Sequence, residues 1–113
     1  MKLVNRSALI VRPKAPYLKW AENVDDDAAR AAHGLESHVS VYLVREDPRG
    51  KEETGPLANY FAKIFALELQ AWCSDENTWP ERRDFKTFRQ WFDVVGQSMV
   101  IDLDDREIEI EDL

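Results

Sequence analysis

The chain has 113 residues, 44% of them hydrophobic, 11% aromatic and 33% charged, with a formal net charge of −7. That is one domain's length with enough apolar area for a core, which excludes disorder throughout. The lone cysteine, Cys73, excludes an internal disulfide, and no stretch of the sequence reaches the roughly 18 apolar residues of a membrane helix.

The apolar run Ala8–Val11 is short, and Asn5 and Arg6 interrupt it, so the first residues do not read as a secretory signal. A cytoplasmic or otherwise reducing compartment without membrane attachment is therefore expected. In chain order, Ser7–Arg12 is apolar on both faces and predicts a buried strand closed by Pro13. Pro13 and Pro16 bracket a turn. Pro16 suits a first helical position, and Tyr17, Leu18, Trp20 and Ala21 supply one or two helical turns. Asp25, Asp26 and Asp27 precede a run of alanines that ends at His33 and Gly34, the pattern of a short helix. His38–Glu46 predicts a strand with Val39, Val41 and Leu43 on one face and Ser40, Tyr42 and Val44 on the other. Asp47–Gly50 reads as a turn, and the polar run to Gly55 as a loop.

Pro56 opens the longest predicted helix, which runs to Trp72 or Cys73. Leu57, Tyr60, Phe61, Ile64, Phe65, Leu67, Leu69 and Trp72 cover most of its circumference, leaving Asn59, Lys63 and Gln70 as a narrow polar stripe. A helix this apolar is expected at the centre, packed on more than one side. Thr78 and Glu81 have capping-box spacing around Pro80, and Asp84 is a second candidate cap. Phe85, Phe88, Trp91, Phe92 and Val95 recur at helical spacing up to Gly96. Ser98–Leu103 suits a buried strand. Asp104 and Asp105 then turn the chain into a last strand in which Ile108 and Ile110 alternate with acids. The expected fold is a single α+β domain over residues 1–113. A three- to four-stranded sheet packs against the central apolar helix and a second helix from the C-terminal half, and residues 102–113 form an acidic strand or tail.

Glu68 is the anomalous residue. It shares the helix sector of Leu57, Phe61, Ile64 and Trp72, so its carboxylate faces the interior or a cleft. A carboxylate cannot be buried ionised and alone, so it must be paired, with arginine the first candidate, or protonated. One reading is structural; the other is a ligand pocket formed by Glu68, aromatic residues such as Trp72, and one of Arg82, Arg83 or Arg89. Arg82, Lys86 and Arg89 would share a face if their stretch is helical. With Trp79 and Trp91 nearby, that face could meet phosphate, nucleic acid or an acidic peptide. An ordinary solvated helix face accounts for them as well.

Asp102, Asp104, Asp105, Glu107, Glu109, Glu111 and Asp112 face only Arg106 in their stretch and hold six of the seven net negative charges. They read as a docking segment for a basic protein, or as the protected edge of a last strand. The concentration of carboxylates argues against nucleic-acid binding at this end. The residues after Asp102 do not match a calcium loop, which requires Gly where Glu107 stands. His33 and His38 fit no zinc spacing, and acids beside Cys73 disfavour a thiolate nucleophile. No nucleophile elbow, phosphate-binding glycine loop or paired-cysteine motif is present, so no cofactor is implied.

The first functional reading is a non-enzymatic accessory or regulatory domain that acts by protein–protein contact. It would use Asp104, Asp105, Glu107, Glu109 and Glu111 toward a basic partner, with a homodimer as an open alternative. The second is a small ligand-binding protein or enzyme with a pocket formed by Glu68, Trp72, Arg82 and Arg89. The third is nucleic-acid binding through the basic stretch 82–89.

Overall fold

The computed structural model describes residues 1–24, 38–46 and 55–113. The helix predicted at 25–34 and the turn and loop predicted at 47–54 lie outside them. The architecture is an α+β domain. Its described elements are β1 (Lys2–Leu3), β2 (Arg6–Pro13), α1 (Ala15–Val24), β3 (Ser40–Arg45), α2 (Gly55–Trp72), a 3-10 turn (Glu76–Thr78), α3 (Phe85–Trp91), β4 (Phe92–Gln97) and β5 (Ile101–Asp102).

Strand β2 forms the middle of a three-stranded sheet, with β3 on one side and β4 on the other, both antiparallel to it. Ser7, Leu9, Val11 and Pro13, on one face, are all buried, whereas on the other face Ala8 is buried, Ile10 half-buried and Arg12 exposed, so the strand expected to be buried is enclosed on one face only. Pro13, which has no N–H to give a ladder, stands at the last position of the strand, opposite Phe92. Leu9 and Val11 project toward the helices. On that face Tyr42 stands opposite Leu9, Val44 opposite Ser7, and Val94 opposite Val11. On the opposite face, Ile10 lies between Val41 and Val95. Val41, Leu43 and Val95 on this face are exposed.

Helix α2 is the central helix that the sequence predicts. Leu57, Ile64, Phe65, Glu68 and Leu69 are buried along one face at spacings that return every two turns. The helix packs on more than one side. It meets β3, its Phe61 lies 5.2 Å from the ring of Phe85, the first residue of α3, and Trp72 Nε1 donates to the Ala21 carbonyl of α1 at 3.1 Å. The solvent face is wider than the three polar residues, because Ala58, Ala62, Leu67 and Ala71 join it. Alanine carries little apolar area, so its exposure sacrifices little.

The second half departs from the sequence expectation in four places. Thr78 and Glu81 do not cap a helix. Instead Asp75 accepts from Asn77 N and closes the short 3-10 turn, and the next helix begins at Phe85. Asp84 caps that helix, accepting from Thr87 N at 2.8 Å. The helix stops at Trp91, and Phe92–Gln97 is strand β4 rather than further helix. Phe85, Phe88, Trp91, Phe92 and Val95 fit a helical repeat, but the open edge of β2 offers Val94 and Val95 a complete ladder, and β-branched residues favour it. The buried strand expected at Ser98–Leu103 is only the two-residue, largely exposed β5, paired with β1, and Met99 is exposed. Glu107–Glu111 forms no strand. Among the described residues no helix is long and apolar enough to cross a membrane.

The core is aromatic. Phe65, Phe88 and Phe92 are almost fully buried, with ring centroids 5.1–5.8 Å apart in tilted or edge-on contacts. Replacing Phe88 by Ala opens a cavity among these rings, and urea unfolding should show a loss of about 3–5 kcal/mol. Hydrogen bonds from Thr87, ahead of the charges on Arg82 and Lys86, hold the Asp84 carboxyl below its ordinary value of 3.8. Its contribution is therefore present above that value and lost as pH falls through the lower folded one. Asp84→Asn, which keeps the cap but does not titrate, should flatten the acid limb of the stability profile.

Candidate functional site

Glu68 sits one turn before the end of α2, and the helix periodicity that buries Ile64, Phe65 and Leu69 carries it inward as well. The residue is 6% exposed. Its partners come from β3. Tyr42 Oη donates to Glu68 Oε2 at 2.6 Å, and Ser40 Oγ lies 3.0 Å from Oε2 and 3.3 Å from Oε1. Tyr17 of α1 donates instead to the Glu68 backbone carbonyl, at 2.8 Å. Two tyrosines and a serine from two elements, α1 and β3, thus surround one residue of α2.

These hydroxyls replace the arginine that the sequence reading placed first. The ion pairs between described residues are Arg82–Asp84 at 4.0 Å and Arg106–Asp104 at 2.8 Å, both away from Glu68. Short O–H···O⁻ bonds are strong, and the effect of this one is seen on the tyrosines. Burial, then the hydrogen bond to Glu68 and its charge, push the Tyr42 phenol well above its ordinary value, and burial followed by the charge of Glu68 does the same to Tyr17.

Beside the carboxylate the surface opens into a depression of about 580 Å³ lined by Tyr42, Leu67, Glu68, Gln70, Ala71 and Leu113. The other residues of the expected pocket are not among those lining it. Trp72 is half-buried and spans to α1 through Ala21. Arg82 is exposed and paired with Asp84. Arg89 is exposed at the end of α3, where its carbonyl accepts from Lys14 Nζ. Arg83 covers the Trp79 ring at 5.6 Å and donates to the Pro80 carbonyl. Because Arg82 precedes the Asp84 cap, it does not share a helix face with Lys86 and Arg89 as the spacing suggested.

The acidic segment is exposed from Leu103 to Leu113. Arg106 is occupied locally. Its backbone N and its guanidinium both donate to Asp104, and Asp104 N in turn donates to Asp102. Asp105, Glu107, Glu109 and Glu111 stand in solvent, and Glu107 and Ile108 border a second depression shared with Lys2–Asn5 of the β1 region. His38 is exposed, and Cys73 is half-buried with Thr78 Oγ1 3.6 Å from its Sγ. His33 lies outside the described residues. Among the described residues no group of three or more His, Cys, Asp or Glu is placed to hold a metal ion.

The sequence reading identified Glu68 but missed Ser40, Tyr42 and Tyr17. A signal was present: Ser40 and Tyr42 share a strand face with Val44, and a strand that turns two hydroxyls toward its apolar side matches a helix that buries a carboxylate. Comparison of the chain with protein-family models, curated proteins and solved structures finds no match.

Tyr42→Phe strips Oε2 of its shortest donor and should lower stability at neutral pH by about 1–3 kcal/mol in urea unfolding. The folded Tyr42 phenol titrates above its ordinary value of 10.0, so its contribution is complete below that pH and fades as pH rises past it. The gap between wild type and Tyr42→Phe should therefore narrow on the alkaline side.

Proposed function

We propose that this domain acts by protein–protein contact, as a non-enzymatic accessory or regulatory module whose acidic C-terminal segment docks on a basic protein. The observation that carries this reading is the make-up and exposure of residues 103–113. Ile108 is 61% exposed and Ile110 88% exposed, each flanked by exposed acids, on backbone that forms no strand. A segment selected only to keep the chain dissolved needs no isoleucines. Acids steer a basic partner and select against acidic ones, while the interleaved apolar side chains gain by losing water once contact is made. The sole base of the segment is already held by Asp104, so the remaining acids lack a partner within it. The exposed Val41, Leu43 and Val95 on the far side of the sheet are in keeping with a domain that works in company.

The test immobilises the full chain and compares the proteins it retains at low and at high salt with those retained by two variants. One variant carries Glu107→Gln, Glu109→Gln and Glu111→Gln; the other carries Ile108→Ser and Ile110→Ser. A basic protein retained by the wild type at low salt and lost by both variants supports the reading. Loss by the charge variant alone reduces the effect to bulk attraction and contradicts docking. Retention of nothing at low salt, or equal retention by all three chains, also contradicts it.

A further inference from the structure

The geometry points to the depression beside Glu68 as a binding site for an organic cation, an ammonium or guanidinium head carried on an apolar stem. This goes beyond the contact reading and uses none of the carboxylates of the acidic segment, whose last residue, Leu113, only borders the hollow. Three observations converge on it. First, the Glu68 carboxylate is nine-tenths buried, yet its side-chain partners among the described residues are the neutral hydroxyls of Ser40 and Tyr42, and neither ion pair between described residues involves it. A carboxylate so placed gains most from a cation that shares its low-dielectric surroundings. Second, Glu68 borders an open hollow, so a ligand can arrive from solvent without unpacking the core. Third, the hollow is walled by Leu67, Ala71, Leu113 and the Tyr42 ring, surfaces that suit an aliphatic stem.

The chemistry selects against the alternatives. An anion would meet a carboxylate with no base paired to it among the described residues. A hard divalent ion requires several oxygen ligands, and one carboxylate with two hydroxyls falls short of the usual set. The hydroxyls fix the orientation of Oε2 before any ligand arrives, which lowers the ordering cost of binding. The cation can be a free alkylamine or the lysine side chain of a partner, and the same groups would recognise either.

The experiment is an amide NMR titration of the full-length chain with n-butylammonium and, separately, with a blocked Gly-Lys-Gly tripeptide, with n-butanol as the neutral control. Saturable shifts centred on Tyr42, Leu67, Glu68 and Ala71 with a charged probe, and none with butanol, are expected. Tighter binding of the tripeptide assigns the site to a partner's side chain, and tighter binding of butylammonium assigns it to a free amine. Glu68→Gln should abolish the shifts. Should that variant fail to fold, Ala71→Trp fills the hollow from an exposed position and should abolish them with unfolding unchanged. The variant that lacks Glu107, Glu109 and Glu111 carboxylates should bind the probes as the wild type does, so this site and the docking segment stand or fall separately. No saturable shift with either charged probe, equal response to butanol, or undiminished binding by Ala71→Trp overturns the proposal.

Discussion

Helix α2 can bury Ile64, Phe65 and Leu69 only by taking Glu68 in with them, because all four lie on one side of it. That constraint reaches across the molecule. A carboxylate between the helix and the sheet has to be met by donors, and the strand that meets it must turn polar atoms inward. Strand β3 does so with Ser40 and Tyr42, and its period of two then places Val41 and Leu43 on the outside. A slip of one residue would bring the valine and leucine inward and leave the carboxylate facing apolar carbon. The exposed apolar face of the sheet and the hydroxyl cage of Glu68 are thus two consequences of one register.

The remaining stability comes from packing that needs no polar match. Phe65 of α2, Phe88 of α3 and Phe92 of β4 bring a helix, a helix and a strand to one point. Trp20, Trp72 and Trp79 bury rings along the seams and each donates its indole N–H to a backbone carbonyl, of Thr78, Ala21 and Cys73 respectively. Those three bonds satisfy the polar edge that would otherwise make a buried indole costly, and they tie α1, the end of α2 and the 3-10 turn together. The polar interior and the aromatic interior therefore divide the work. One fixes the strand register, and the other supplies apolar burial.

Where a sequence signal was local and strong, it was legible. The apolar run of β2, the alternation of β3, the long apolar face of α2 and the Asp84 cap each follow from a few adjacent residues. Where the outcome depended on a distant partner, it was not. Phe92 and Val95 fit a helix as well as a strand until the open edge of β2 decides between them. Ile108 and Ile110 alternate like a strand, yet they form none, since alternation alone supplies no ladder. The inward position of Glu68 was legible from its own helix, whereas its partners, on a strand more than 25 residues earlier, were visible only as two hydroxyls on an otherwise apolar strand face. The arginines that local charge reasoning assigned to it are paired or exposed elsewhere.

Amide hydrogen exchange followed residue by residue gives the most direct test of whether α2 and the strands it faces form the enclosed centre of the fold. The account predicts that the amides from Phe61 to Trp72, together with those of Leu9 and Val11, exchange slowest and at one common opening free energy, while those from Asp105 to Leu113 exchange at nearly unprotected rates. Exchange of the Phe61–Trp72 amides as fast as that of the acidic segment would contradict it.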